Sequence, residues 1–203
     1  MFEPALVDAY AAGFSRVLER VAGGAASEGL AARYIRVRRP RRCEHREVRE
    51  VRVLSRVTLG ADVAVTSVVL DAVKRRFPEA RIIFVGPRKC YELFEADARI
   101  AHLPAAYQRG GSLRERIAGW PSLRAELSRP GGIVVDPDSR LTQLGLLPVC
   151  AEEDYYFFES RSFGGGSEES LTELTRRWVS ETFGIQEARA YIAPVSKGGL
   201  PSG

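Results

Sequence analysis

The chain has few of the residues that build metal centres, disulfide frameworks and nucleophilic active sites. It holds only 3 cysteines and 2 histidines among its 203 residues. Cys43, Cys90 and Cys150 are far apart and odd in number, which argues against both a disulfide framework and a zinc site. His45 and His102 have no serine or cysteine at the spacing of a catalytic triad. The unpaired cysteines fit a reducing cytoplasm.

Long apolar runs and targeting signals are also missing. No run approaches the roughly 18 consecutive apolar residues of a transmembrane helix. The N-terminal segment carries Glu3, Asp8 and Glu19, acids that a secretory signal peptide would lack. We therefore expect a soluble, cytoplasmic protein that at most rests peripherally on the inner membrane.

Phosphate-binding glycine motifs are absent as well. Neither a Gly-x-Gly-x-x-Gly fingerprint nor a Walker loop occurs in the chain. The glycine run 164–166 precedes a predicted helix, but Glu168 and Glu169 follow at once and would repel a phosphate. Ser167 is better interpreted as the N-cap of that helix. These residues therefore predict no nucleotide site of their own.

Length and apolar content limit the number of domains. With 45% apolar residues, the chain can bury one substantial core. It cannot hold two nucleotide-binding domains of about 150 residues each. We expect an N-terminal helix and arginine-rich extension over residues 1–50, an α/β domain over 51–187, and a linker or tail over 188–203.

The net charge of +4 arises mainly from one arginine-rich segment. Residues 33–56 hold ten arginines against Glu44, Glu47 and Glu50. Such a run attracts phosphates, including those of an anionic membrane. Nucleic-acid binding is disfavoured, because Tyr34 is the only tyrosine, tryptophan or phenylalanine among these arginines. The simplest interpretation is a solvated, partly disordered arm.

Strand and helix patterns alternate along the rest of the chain. Apolar runs predict strands at about 51–56, 81–85, 99–103, 132–136 and 155–158. Helical spacing predicts helices over 4–22, 62–76, 90–96, 112–127 with a kink at Pro121, 139–146 and 168–183. Residues 23–33 are small and polar enough to form a link. Right-handed crossovers then favour a doubly wound, Rossmann-like parallel sheet with strand order 3-2-1-4-5, whose ligand crevice lies between the first and fourth strands.

The turn after the first strand resembles that of a known enzyme family. The residues concerned are Arg56, the segment Leu59-Gly60-Ala61-Asp62-Val63, Thr66, and the helix end Phe77-Pro78-Glu79-Ala80. This pattern resembles the N-terminal half of family 9 glycosyltransferases, which include ADP-heptose:lipopolysaccharide heptosyltransferases. Residues 132–140 are similar to that group's fourth strand and following loop, so the match covers roughly residues 51–160. The chain departs from the pattern at Ala61, which is inserted, and at Ser67-Val68, where a Thr-Pro pair is common.

The resemblance implies the first half of a two-domain GT-B enzyme. An inverting transferase of this kind moves a sugar such as heptose from a nucleotide sugar such as ADP-heptose to a cell-envelope glycan, for example the lipopolysaccharide core. This half would bind the glycan or glycolipid acceptor, and a second domain absent from these residues would bind the donor. No metal or other cofactor is implied. Two alternatives stay open: a non-catalytic glycan- or protein-binding module, and another Rossmann-like nucleotide-binding enzyme.

The resemblance also nominates the site residues. It assigns Asp62 the role of the base that takes the acceptor's hydroxyl proton. An aspartate before an apolar helix is equally favoured as an N-cap, so both interpretations stand. The remaining candidates for acceptor binding share a position near the ends of the first and fourth strands: Arg56, Thr58, Gly60, Thr66, Asp136, Asp138 and Arg140. Their competing interpretations are helix capping for the acids and threonines and ordinary surface charge for the arginines.

Overall fold

The computed structural model describes residues 4–21, 29–108, 110–164 and 168–195. Five parallel strands form a sheet in the order β3-β2-β1-β4-β5, which confirms the predicted order and the Rossmann-like α/β class. The strands are β1 Glu50–Leu54, β2 Arg81–Gly86, β3 Ile100–Pro104, β4 Gly132–Asp136 and β5 Tyr155–Phe157. Each lies within two residues of its predicted bounds. The carboxyl ends of β1 and β4 are therefore neighbours, as expected.

Helices cover both faces of this sheet. They are α1 Pro4–Val21, α2 Leu30–Val37, α3 Leu59–Ala61, α4 Ser67–Arg76, α5 Arg88–Tyr91, α6 Leu113–Ile117, α7 Trp120–Leu127 and α8 Leu171–Phe183. A π-helical turn, Asp62–Thr66, joins α3 to α4. None of the described helices is long and apolar enough to cross a membrane.

Successive side chains of the central strands point to opposite faces of the sheet and so contribute to two hydrophobic cores. Val51 and Val53 of β1 pack toward α4 and α8 on one face. Leu54 packs toward α1, α2 and α7 on the other. Strands with both faces buried explain the continuous apolar runs seen in the sequence.

The arginine-rich segment is ordered and packs against the domain, although six of its ten arginines are exposed, as its charge suggested. Arg33 is only 5% exposed, and its guanidinium donates to the Gly145 carbonyl at 2.9 Å. Tyr34 packs against Phe157 of β5 with ring centroids 5.9 Å apart, and the Cys43 N–H donates to an α8 carbonyl. The segment thus wraps around β5. An edge strand exposes unpaired backbone groups, and this cover protects it.

Several predicted boundaries are wrong for local reasons. Helix α2 begins at Leu30, inside the predicted link. The predicted helix over 139–146 is a single 3₁₀ turn, Arg140–Thr142. Helix α8 has Ser170 as its N-cap, in a capping box with Glu173, whereas the predicted cap Ser167 lies outside the described residues. The helix after β1 begins at Leu59, three residues before Asp62.

A glycine substitution tests how closely β1 and β2 approach at their carboxyl ends. A Cβ added at Gly86 would lie 2.4 Å from the Cβ of Ser55, so the backbone must shift. We expect Gly86→Ala to lower the free energy of unfolding by about 1–3 kcal/mol, as overpacking does. Urea denaturation measures this.

The matched control is Gly60→Ala, because a Cβ there meets nothing within 4 Å. Gly60 lies in α3, where alanine is the better helix former. The free energy of unfolding of this control should therefore stay unchanged or rise by up to about 1 kcal/mol. Equal losses in the two variants would contradict the close approach.

Candidate ligand-binding crevice

Three loops meet at the carboxyl ends of β1, β4 and β5. We call this region the crevice and define it by residues 55–58, 137–140 and 159–162. Two of its residues have left-handed backbone, Val57 with φ 66° and Asp138 with φ 65°. This conformation is costly for non-glycine residues, above all for β-branched valine, and such strain concentrates at functional sites. The crevice is also where doubly wound sheets bind ligands.

Asp62 lies behind the β1 loop and is 0% exposed. Its Oδ1 accepts hydrogen bonds from the Arg56 N–H at 2.7 Å and the Thr66 hydroxyl at 2.6 Å. Its Oδ2 accepts one from the Ser55 hydroxyl at 2.7 Å. The π-helical turn gives Asp62 and Thr66 their positions, and such turns accommodate one more residue than an α-turn. Ala61, the residue inserted relative to the glycosyltransferase pattern, directly precedes this π-helical turn.

This placement corrects the expected position of Asp62. The carboxylate does not project at the mouth of the crevice, because it is fully buried. It is not the N-cap either, because Thr58 holds that position. Burial raises the pKa of Asp62, and the hydrogen bonds from Thr66, Ser55 and Arg56 oppose the rise. With both oxygens hydrogen-bonded and the side chain fully buried, the carboxylate braces the β1 loop and presents no exposed oxygen to a substrate in this arrangement.

Asp136 performs the same bracing task at the end of β4. It is 0% exposed, and its Oδ1 accepts the Ser139 N–H at 2.6 Å. The hydroxyls of Thr142 and Tyr155 each donate to its Oδ2 at 2.6 Å. Burial raises the pKa of Asp136 to about 6 despite these bonds. A side chain so enclosed supports the loop instead of lining the crevice.

Asp138 and Arg56, both predicted to line the crevice, lie next to each other. The Arg56 Nη2 lies 3.6 Å from Asp138 Oδ2, and the same nitrogen donates to the Ser160 hydroxyl at 3.1 Å. Ser160 in turn donates to Asp138 Oδ2 at 2.7 Å. The Arg161 Nε lies 3.5 Å from that oxygen on the other side. Burial raises the pKa of Asp138, while Arg161 and Arg56 oppose the rise.

Each member of this pair keeps one polar atom without a partner. Arg56 Nη1 and Asp138 Oδ1 are buried, and neither hydrogen-bonds any described residue. Asp138 is 2% exposed, whereas the Arg56 side chain is 16% exposed and reaches the surface. Buried polar atoms are normally satisfied, so the unused donor and the unused acceptor in this cluster are available to a further partner.

The other predicted residues have different surroundings. Thr66 supports Asp62. Thr58 sits at the start of α3 without a side-chain cap bond, and Gly60 lies exposed within α3. Arg140 is exposed at the rim, and no described residue hydrogen-bonds its guanidinium. Of the eight candidates, Arg56 and Asp138 are thus the two whose side chains meet within the crevice.

Sequence reasoning missed the contribution of the β5 loop. Glu159 accepts from Arg161 Nε at 2.8 Å, and Arg161 Nη2 donates to the Tyr34 hydroxyl at 3.0 Å. It also missed Ser139, whose hydroxyl donates to the Ser55 carbonyl at 2.5 Å and ties the two central loops together. One feature of the sequence could have pointed to the β5 loop. The predicted order places β5 beside β4, so polar residues directly after β5 should reach the same edge.

No group of three or more histidine, cysteine or acidic side chains within the described residues could hold a metal ion. Comparisons with protein-family models, curated proteins and solved structures find no match to this chain. The resemblance to family 9 glycosyltransferases therefore rests on the residues quoted for it alone.

The bracing role of Asp62 predicts a loss of stability on Asp62→Asn. The amide keeps one oxygen for Arg56 and Thr66 but turns an NH₂ group toward the Ser55 hydroxyl. That hydroxyl already accepts the Val57 N–H at 2.8 Å. We expect the free energy of unfolding to fall by about 2 kcal/mol, measured by urea denaturation.

Glu79→Gln makes the same carboxylate-to-amide change at an exposed position and should stay within about 0.5 kcal/mol of the wild type. If both variants match the wild type, Asp62 does not brace the loop.

Asp136 predicts a specific pH dependence. Its pKa is raised from the ordinary 3.8 to about 6 in the folded protein. The folded state therefore binds this proton more tightly, and the resulting stability is present below about pH 4 and lost as the pH rises through about 6. Relative to the Asp136→Asn variant, the free energy of unfolding of the wild type should fall by about 3 kcal/mol between pH 4 and pH 7. Urea denaturation of both proteins across this pH range measures this difference. A difference in unfolding free energy that stays constant, or that grows in favour of the wild type as the pH rises, would refute the prediction.

Proposed function

We propose that this chain is the acceptor-binding half of a sugar-transferring enzyme of the GT-B type. In this proposal a hydroxyl-rich acceptor binds in the crevice. One observation carries it: Arg56 Nη1 offers an unused donor and Asp138 Oδ1 an unused acceptor within one cluster. A hydroxyl group can accept from the first and donate to the second at once. The enzyme class itself comes from the resemblance of the β1 turn.

Sugar transfer needs a base near the attacking hydroxyl, and the cluster supports Asp138 for that role over Asp62. Asp138 has one oxygen without a described partner, whereas both Asp62 oxygens accept hydrogen bonds. Burial also raises the pKa of Asp138, which makes its carboxylate a stronger base. Asp62 then acts as a positioning residue, because it holds the backbone N–H of Arg56.

The ligand must displace part of the closed cluster to reach Asp138, which is 2% exposed. The β5 loop is the element that would move, since Ser160 and Arg161 cover the carboxylate from that side. The Arg56 and Arg161 side chains are 16% and 15% exposed, so the ligand meets them first. The nucleotide-sugar donor, such as ADP-heptose, would bind a second domain.

A neighbouring pocket offers room for the rest of the acceptor. It has a volume of about 250 Å³ and opens beside the 3₁₀ turn that follows the β4 loop. Its walls include Tyr107, Trp120 and Leu141, and Arg116 and Glu126 supply polar groups. Apolar and aromatic walls with few polar groups are typical of small-ligand sites.

A second candidate is a glycan-binding module without catalytic activity. The engaged oxygens of Asp62, the acid that the resemblance nominates as base, favour it. Both candidates bind a glycan in the crevice, and only the first predicts sugar transfer. Assaying transfer from ADP-heptose to a lipopolysaccharide core acceptor, with a donor domain supplied, separates them.

Ligand titration tests the shared part of the proposal. We expect a lipopolysaccharide core oligosaccharide to shift the backbone NMR signals of residues 55–58 and 138–140. Asp138→Asn should weaken this binding at least about tenfold, because one lost hydrogen bond to a charged group is worth about 1.5–3 kcal/mol. Asp154→Asn, the same change at the amino end of β5, should leave affinity unchanged.

Ser160→Ala provides a second variant that keeps the acid and removes its serine partner. It should bind the oligosaccharide at least as well as the wild type, because it loosens the cover. Tight binding of ADP-heptose by this chain without any glycan binding would contradict the acceptor-half assignment.

A further inference from the structure

Helix α1 carries apolar residues on two adjacent faces, and within the described residues one of these faces is largely exposed. The inner face, Val7, Ala11 and Leu18, is buried against the domain. Leu6, Tyr10 and Val17 are 60%, 45% and 45% exposed. Because a helix turns about 100° per residue, positions 6, 10 and 17 fall on one line. We call these three residues the outer stripe.

Positive charge borders the outer stripe on its exposed side. At the same helical periodicity, Arg16 and Arg20 lie next to Leu6 and Val17, on the flank away from the domain. Both arginines are exposed, and neither makes a hydrogen bond or ion pair with a described residue. The two acids of α1 lie farther round the helix and are engaged. Asp8 pairs with Arg38, and Glu19 accepts the Leu30 N–H at 2.7 Å.

We propose that the outer stripe of α1, with Arg16 and Arg20, lies on an anionic lipid bilayer. Helices that rest in a membrane interface combine an apolar face with a flanking arginine or lysine row. Each such cation near an anionic surface adds to the attraction. Tyr10 fits this position, because tyrosine places its ring among lipid chains and its hydroxyl among headgroups.

Self-association fits the same surface less well. Two copies of the outer stripe placed together would bring Arg16 and Arg20 of both copies to one contact, and no acid of α1 borders the stripe. Three side chains also bury far less than the roughly 800 Å² per partner of a stable interface. The charge therefore favours a negative surface over a second copy.

Some arginines of the arginine-rich segment are engaged within the protein. Arg33 and Arg52 are buried, and Arg36 pairs with Glu152 at 2.7 Å. Arg39, Arg42, Arg46 and Arg49 remain exposed on this segment. They provide the natural comparison with the α1 arginines.

Vesicle flotation with the full chain tests the proposal. The wild type should float with phosphatidylglycerol-containing vesicles at low salt and not with pure phosphatidylcholine. Leu6→Gln with Val17→Gln, and separately Arg16→Gln with Arg20→Gln, should each reduce partitioning at least about tenfold. The matched apolar control is Ile192→Gln with Val195→Gln, since both residues are 54% exposed, and it should float like the wild type.

Three results would overturn the proposal. The first is a wild type that does not float with anionic vesicles. The second is flotation that Arg42→Gln with Arg46→Gln abolishes while the α1 variants retain it, which would assign the contact to the arginine-rich segment. The third is a concentration-dependent dimer that the Leu6→Gln and Val17→Gln pair dissolves, without lipid binding by the wild type. Circular dichroism of the surface variants confirms that each is folded.

Discussion

A carboxylate buried away from water needs hydrogen-bond donors within the protein, and those of Asp62 lie mainly in the loop that follows β1. It accepts the Arg56 N–H and the hydroxyls of Ser55 and Thr66. Ser55 also accepts the Val57 N–H, which helps to hold that valine in left-handed backbone. The direction in which Arg56 leaves the sheet depends on this set of bonds.

Asp136 repeats the arrangement one strand away. It fixes Ser139, and the Ser139 hydroxyl then reaches across to the Ser55 carbonyl. Two buried acids therefore secure the loops on either side of the crevice. The third acid, Asp138, is left between them with two arginines and an unused oxygen. Our proposal gives this acid, and not the more deeply braced Asp62, the contact with a ligand hydroxyl.

The sequence was sufficient for the sheet and insufficient for the site. Apolar runs located all five strands, and alternation with helices implied their order, because right-handed crossovers leave few alternatives. Pro78 correctly marked the end of α4. Spacing could not reveal which oxygens of Asp62 would be engaged. Nor could it reveal that Ser160, 104 positions after Arg56, closes the cluster. The burial of Arg33 depends on the rings and carbonyls of β5 and the loop before it, which composition does not encode.

Carboxyl-carbon NMR of the aspartates during a glycan titration distinguishes Asp138 from Asp62 as the residue that contacts the ligand. We expect the Asp138 side-chain resonance to shift as lipopolysaccharide core oligosaccharide is added, because its free oxygen accepts a hydrogen bond from the ligand hydroxyl. The Asp62 resonance should move much less, because its hydrogen-bond donors all belong to the protein. A large shift at Asp62 with none at Asp138 would contradict the division of roles and return Asp62 to the position of substrate-facing acid.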